Sequence, residues 1–427
     1  MIILHQLWNQ RRANGWIFVE LLVVAFFLWI VVDPIYVITA NQSIPKGYEE
    51  ANTYLLLINH YNDTHGKFDA AQDTPDALEE NILRIFRTVK SLPETEAAAL
   101  LSDHSSFPNA PGYNGGQYFN DTVYVHSQTY SFSQVEGSDL LATYRLRDHR
   151  TGEVIQLPAD CGARGGVFLT EDMAKKLFGT ADATGLQVRY GDSTFHEVRG
   201  VIQAYKARND AQPTPLLIRV GPGTPSTGLL QWRATIALRV KPGTDAAAFE
   251  RRFKQEVAPQ LNVGNFYFTS LRTLKSVRQE WENTSGTSNA LRLHYALAGF
   301  ALLCIFLGMT GTFWIRCNTR RQDMGLMKAM GASRGTVIRQ FLAEAWWLVT
   351  IAFLLSLIPT LNRVYASGFA NATENGDPAY WQNQPVTHFV IVTLLVYAIM
   401  MLIAALGTYI PVRRASKTLP AEALRDE

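Results

Sequence analysis

Apolar residues are spread unevenly along this chain: they gather in four runs separated by long polar stretches. The first run covers residues 16–32 and is closed by Asp33-Pro34; the others cover residues 294–315, 341–361 and 388–410. The first is about 17 residues long and the others about 20, enough for a helix to cross the hydrocarbon core of a bilayer. Arg11 and Arg12 before the first run give it a signal-peptide flavour. The run is nevertheless long for an h-region and no A-x-A site follows, so an uncleaved anchor is expected.

Between the first two runs the pattern changes to that of a folded domain. Residues 53–59 (TYLLLIN) read as a strand. Thr74-Pro75 then supplies an N-cap and a first-turn proline, and Leu78, Ile82, Phe86 and Val89 fall on one face of the helix that follows. Residues 97–101 and 235–240 read as further strands. Thr244 is the expected cap of a second helix with Phe249, Phe253 and Val257 inward, and residues 267–270 form a last strand. The middle, residues 117–219, is richer in β signals and glycine-bearing turns. These signals predict an α+β membrane protein: four transmembrane helices with a large, two-lobed mixed α/β domain between the first and second. Beyond Leu271 the chain turns helical through Trp281, which predicts a stalk running into the second span.

Charge sets the expected orientation. Arg11, Arg12, Arg316, Arg320, Arg321, Lys328, Arg334, Arg339, Arg413, Arg414 and Lys417 flank the spans on one side, while the loop before the fourth span carries only Arg363. The positive-inside rule then makes both termini and the loop between spans two and three cytoplasmic. The expected division is residues 1–35, N-terminus and first helix; 36–289, outer domain with stalk; 290–316, second helix; 317–340, cytoplasmic loop; 341–361, third helix; 362–387, outer loop; 388–410, fourth helix; and 411–427, cytoplasmic tail. A net charge of +2 over 427 residues, with the basic residues at membrane edges, excludes a nucleic-acid groove. Three cysteines in three different environments, Cys161, Cys304 and Cys317, argue against a disulfide framework or a thiolate metal site.

Catalytic signatures are absent. The sequence has no G-x-x-x-x-G-K-[ST] and no H-E-x-x-H. His60, His65, Asp63 and Asp69 have no helical or strand spacing and read as a solvated loop, and Asp103-His104-Ser105 adjoin too closely for a triad. Glu20 and Glu344 are ionisable residues within apolar runs. Each lies about one turn from the basic edge, where Arg11, Arg12 or Arg339 is the expected partner. Gly308 with Gly311 or Thr312 offers a close helix contact, expected within the four-helix unit.

The most specific signal is residues 320–345, RRQDMGLMKAMGASRGTVIRQFLAEA. An arginine pair is followed by a Met-rich amphipathic helix, a Gly331-Ala332-Ser333 break and a second helix leading into the third run. This resembles the FtsX/MacB family of ABC-transporter permeases, whose pattern here is R-[KR]-x-E-[IM]-G-[IL]-x-[KR]-A-[LIM]-G-A; Asp323 stands where glutamate is commoner. Residues 167–179 (VFLTEDMAKKLFG) and 183–202 resemble the MacB-type periplasmic core domain, with Thr170 in place of serine or asparagine. The resemblance implies a coupling helix that touches an ATPase through Asp323, Met324, Gly325, Leu326, Met327, Lys328, Met330, Gly331, Ala332 and Ser333. It implies a non-catalytic permease in the bacterial inner membrane, its large domain in the periplasm. No cofactor is bound directly; ATP and Mg²⁺ sit on a separate ATPase polypeptide, since MacB itself carries a fused nucleotide-binding domain. Partners implied are that ATPase, a second permease (identical or paralogous), membrane lipid and, as a further candidate, a periplasmic adaptor. The expected function is mechanotransmission, driving efflux of a peptide, antibiotic or lipoprotein. The alternative is a membrane-anchored sensor or regulator of an extracytoplasmic hydrolase without transport.

Overall fold

The computed structural model describes residues 11–101, 114–120, 123–158, 160–161, 165–190, 194–370, 381 and 384–417. The chain divides into two compact units, one of them Asn41–Gly286 and the other built from the long helices on either side of it in sequence.

Helix α1 spans Arg11–Ser43 and continues through Asp33 and Pro34, where the sequence predicts its end. Asp33 fails to stop it because its carboxylate is taken up elsewhere in the bundle, as shown below. Among the described residues of Asn41–Gly286 there are ten strands. Strand β1 (Thr53–His60) lies between β10 (Phe266–Thr273) and β9 (Arg233–Val240), antiparallel to both, and β2 (Thr95–Leu101) pairs the far side of β9. Two helices cover one face. Helix α2 (Pro75–Lys90) is capped by the Thr74 hydroxyl, which accepts from the Ala77 amide, and buries Leu78, Ile82, Phe86 and Val89 as their spacing requires. Phe249, Phe253 and Val257 complete that layer. The cap of the helix that carries Phe249, Ala246–Arg252, is Asp245 rather than Thr244: the carboxylate accepts from Ala247 and Ala248, and the Thr244 hydroxyl donates back to the Lys241 carbonyl.

The middle of the unit is a closed ring of strands. β4 (Val123–Gln134) pairs β3 (Asn114–Asn120), β3 pairs β6 (Gln187–Tyr190), β6 pairs β7 (Thr194–Ile202), β7 pairs β5 (Gly166–Thr170), and β5 pairs β8 (Leu216–Pro222). β8 then pairs β4 in parallel, from Gln128↔Leu216 to Gln134↔Pro222. A closed ring leaves no unpaired edge in this lobe. Among the described residues it joins the first sheet through the register pair Leu101↔Phe132. Thr170, at the N-cap of the helix Glu171–Phe178, makes no capping bond; its hydroxyl bonds the Leu216 backbone and ties β5 to β8.

Lys206 is fully buried in this unit, with its ammonium donating to the carbonyls of Asn41 and Asn209. Burial, helped by Lys46, pulls its pKa from 10.5 down to about 8. Below pH 8 the folded unit carries a desolvated charge that the unfolded chain keeps in water. That penalty is relieved as pH rises from about 8 to 10.5, so stability should increase across the window by up to about 3 kcal/mol. Urea midpoints of the wild type are expected to rise between pH 7.5 and 10, and those of Lys206→Met to stay flat. Parallel curves for the two proteins would contradict the assignment.

The predicted stalk is interrupted. Leu274–Thr284 is helical, Ser285 caps it and Gly286, at φ +82°, separates it from the next helix. That helix (Thr287–Thr319) opens the second half of the helical unit. Arg321–Ala329, Arg334–Ser367 and Pro385–Ala415 follow. Gly15–Ser43, Thr287–Thr319, Arg334–Ser367 and Pro385–Ala415 are each long and apolar enough to cross a membrane. Their common core includes Leu21, Leu28, Ile305, Met309, Val349, Val396 and Met400. Two glycines allow the closest approaches. A Cβ on Gly407 would lie 2.9 Å from the Phe306 carbonyl oxygen, and one on Gly308 would lie 2.4 Å from the Glu20 carboxylate. Gly308 thus serves packing inside the unit, as its sequence suggests, whereas Gly299 and Gly311 have nothing within 4 Å.

Candidate functional site

The short helix Arg321–Ala329 ends in a way its sequence dictates. Gly331 takes φ +95°, a left-handed conformation cheap only for glycine. Its amide bonds the Lys328 carbonyl, and the Ala332 amide bonds the Met327 carbonyl, the paired arrangement of a Schellman stop. Ser333 then caps Arg334–Ser367, its hydroxyl accepting from the Thr336 amide at 3.2 Å. Two helices are thereby joined by a tight, fully bonded bend.

The predicted contact residues separate into two sets. Met324 and Gly325 are buried against the long helices, Met327 packs half-buried on the same core, and Lys328 donates to the Ser416 carbonyl. These four hold the hairpin in place. Asp323, Leu326 and Met330 face outward, Leu326 being 54% and Met330 74% exposed. Spaced three to four residues apart, they share one face with the exposed Ser333 bend. The outward apolar surface is therefore Leu326 and Met330, while Met324 and Met327, expected on the same contact face, pack against the core.

A buried ion triad anchors the start of this hairpin. Glu344, 1% exposed, accepts from Arg320 Nη1 at 2.8 Å and faces Arg316 Nη1 at 3.6 Å. Arg339, the partner expected from sequence, is exposed and is not the partner found. The reason is register: Arg316 and Arg320 lie one turn apart and converge on one carboxylate. Glu20 abuts Gly308.

A second buried pair was not signalled by the sequence. Asp33 is 4% and His388 2% exposed; His388 Nε2 donates to Asp33 Oδ1 at 2.6 Å, and the Ala370 amide donates to Oδ2 at 2.9 Å. Trp381 Nε1 donates to the Ala370 carbonyl, and Phe369 meets the imidazole edge-on at 4.7 Å. Both residues stood at the ends of apolar runs, where they read as boundaries. A histidine at the first turn of one span and an aspartate before a proline in another were the available signal.

The polar loop residues weighed for metal binding go separate ways. His60 sits on β1 near Asp73, and burial lowers its pKa against the pull of that carboxylate. His65 stacks on Tyr61, and Asp69 caps Ala71. Among the described residues no three His, Cys, Asp or Glu side chains stand close enough to hold a metal. Asp103, His104 and Ser105 lie outside the described residues.

The described residues thus hold one unit with four membrane-length helices and a capped hairpin, and another built on a mixed α/β sheet. Residues 295–420 match the family model described as FtsX-like permease C-terminal. The macrolide export ATP-binding/permease protein MacB of Vibrio parahaemolyticus is 25% identical over 191 residues, 44% of this chain and 27% of that protein. The ABC transporter permease YtrF of Bacillus subtilis is 24% identical over 195 residues, 43% of each chain. The chain thus spans less than half the length of these relatives. The periplasmic region of MacB from Actinobacillus actinomycetemcomitans overlays 56% of this chain and 95% of its own at a TM-score of 0.32 and 13% identity. Over residues 295–420 the chain is thus similar to FtsX-like permeases.

Proposed function

We propose that this protein is the force-transmitting membrane subunit of an ABC transporter, with ATP hydrolysis supplied by a separate polypeptide. The Arg321–Ala329 hairpin lies on the cytoplasmic side, and a groove on the ATPase takes up its exposed Leu326 and Met330. Movement of the ATPase pulls on the hairpin. The Glu344 triad and the Ser333 cap pass that pull to the helices, and so to the domain between the first and second spans. Two permease copies, each with an ATPase, would work together, and the cargo is a peptide, antibiotic or lipoprotein class molecule. The observation that carries this reading is the exposure of Leu326 and Met330 on a helix whose other face is fully committed to the bundle. Apolar side chains at helical spacing on an otherwise satisfied element are what a helix-in-groove contact needs.

The double variant Leu326→Asp/Met330→Asp should express and insert normally, because neither side chain contributes to the core. It should lose co-purification with the cognate ATPase and lower the coupled ATP hydrolysis to that of the ATPase alone. The same pair replaced by alanine should give a partial loss. Full retention of both properties in the aspartate variant would refute docking at this face.

A further inference from the structure

Helix α1 buries one face and leaves another open. Ile17, Leu21, Ala25 and Leu28 are buried in the common core, whereas Trp16 is 82%, Val23 55% and Phe27 37% exposed. Glu20 belongs to the open side: at about 100° per residue, Trp16, Glu20, Val23 and Phe27 fall within about 60° of one another around the helix. A carboxyl group therefore stands within an apolar and aromatic stripe, one turn inside the apolar run that Trp16 opens. The bundle makes room for it. The carboxyl lies against Gly308 of Thr287–Thr319, where a Cβ would sit 2.9 Å from its carbon and its Oε2, so a side chain at that position would displace it.

No charge answers it. Among the described residues no hydrogen bond or ion pair reaches Glu20. Arg316 and Arg320 are engaged by Glu344, and His388 by Asp33. Arg12, the nearer of the two partners expected from the sequence, stands more than two turns, about 12 Å, back along the helix. A carboxylate without a counter-charge is costly on a surface that faces lipid, and a partner cation removes that cost. The stripe decides the kind of cation. It continues past Glu20 in both directions, through Trp16 on one side and Val23 and Phe27 on the other. A metal ion or a bare ammonium would leave these side chains uncovered. A cation that carries its own aromatic or aliphatic groups covers them, and an indole face attracts such a cation. A second copy of this chain has no lysine or arginine within its four apolar runs to offer at that depth.

We infer that the open stripe of α1 is a binding site for a lipophilic organic cation, its positive centre paired with the Glu20 carboxylate and its apolar groups covered by Trp16, Val23 and Phe27. The site requires only that α1 lies in a bilayer or a micelle. It is independent of the ATPase contact, which uses Leu326 and Met330.

The test is equilibrium dialysis of the detergent-purified full chain against radiolabelled tetraphenylphosphonium, for which saturable binding is expected. Glu20→Gln should weaken it by about tenfold or more, the loss of one charge pair in a partly desolvated setting. Glu20→Asp, which keeps the charge, should lose less. Glu79→Gln, which removes an exposed carboxylate from Pro75–Lys90, should leave binding within about twofold, since distant charges are screened. In a parallel dialysis tetraphenylborate, the anion of the same shape, should bind the wild type no more tightly than Glu20→Gln. Tetraphenylphosphonium binding that is unchanged in Glu20→Gln, or tetraphenylborate binding that falls with it, would leave only an apolar surface and overturn the site. A changed oligomeric state in Glu20→Gln with tetraphenylphosphonium binding intact would assign the stripe to a second copy and overturn the ligand. A photoactivatable arylphosphonium, used on the wild type so that no variant needs to fold, should label peptides within Trp16–Phe27. Labelling confined to other helices would overturn the proposal.

Discussion

Replacing Glu344 with alanine is expected to destabilise the helical unit by about 3–5 kcal/mol, because it removes the buried carboxylate that Arg316 and Arg320 share. Arg316 is 8% exposed and Arg320 starts the hairpin helix, so the loss falls where the hairpin joins the bundle. The carboxylate is acceptor-only and already receives Arg320 at 2.8 Å. Thermal unfolding of the detergent-solubilised protein should show the drop. The informative control is the triple variant Arg316→Met/Arg320→Met/Glu344→Met, which removes the charges together. A buried ion group replaced whole by apolar residues often costs little, so the triple variant should recover most of the stability. It should not recover coupling, since the grip on the hairpin is gone. A single Glu344→Ala variant within 1 kcal/mol of wild type, an order-of-magnitude threshold set by exposed pairs, would show the triad to be solvated and the argument wrong.

His388→Ala is expected to cost about 3 kcal/mol, and Asp33→Asn only about 1. The asymmetry follows from what each change leaves behind. Removing the imidazole strands a buried carboxylate with one remaining donor, the Ala370 amide at 2.9 Å. It also takes away the ring that Phe369 packs against. Asparagine at position 33 keeps an acceptor for that amide and carries no charge, so the histidine loses a partner but nothing buried is left ionised. Equilibrium unfolding of the two variants in one detergent gives the ranking directly. The reverse order would contradict this account of the pair.

Much of this was legible because local chemistry and global packing agree. The helix Pro75–Lys90 shows its cap, its proline and its buried face in seven or so letters, and nothing distant overrides them. The bend at Gly331-Ala332-Ser333 is legible for the same reason: a left-handed stop and a hydroxyl cap are local. The failures share a cause as well. Asp33-Pro34 reads as a helix end, but a histidine some 350 residues away along the chain consumes the aspartate and the helix goes on. Methionine content marks Arg321–Ala329 as a contact helix. Which side touches the core depends on where the long helices lie, and only the coordinates separate Met324 from Met330. The ring of strands is the extreme case, since its closure by β4 and β8 joins segments about 90 residues apart in parallel, with no turn between them to announce the pairing.

Strand β1 has a further consequence, one of timing. Both its neighbours, β9 and β10, are encoded near the far end of the same unit, so Tyr54 waits for Leu238 and Thr273. A ribosome working at roughly 5–20 residues per second delivers them on the order of 10–40 seconds after β1. For that interval TYLLLINH is a nascent hydrophobic segment with two unsatisfied edges, while the intervening ring lobe is free to form first from contacts of shorter span. Birth order and assembly order are therefore inverted in this unit. The vulnerable moment of its life is the wait before β9 arrives, when a holdase or a protease meets a strand that the finished protein never exposes.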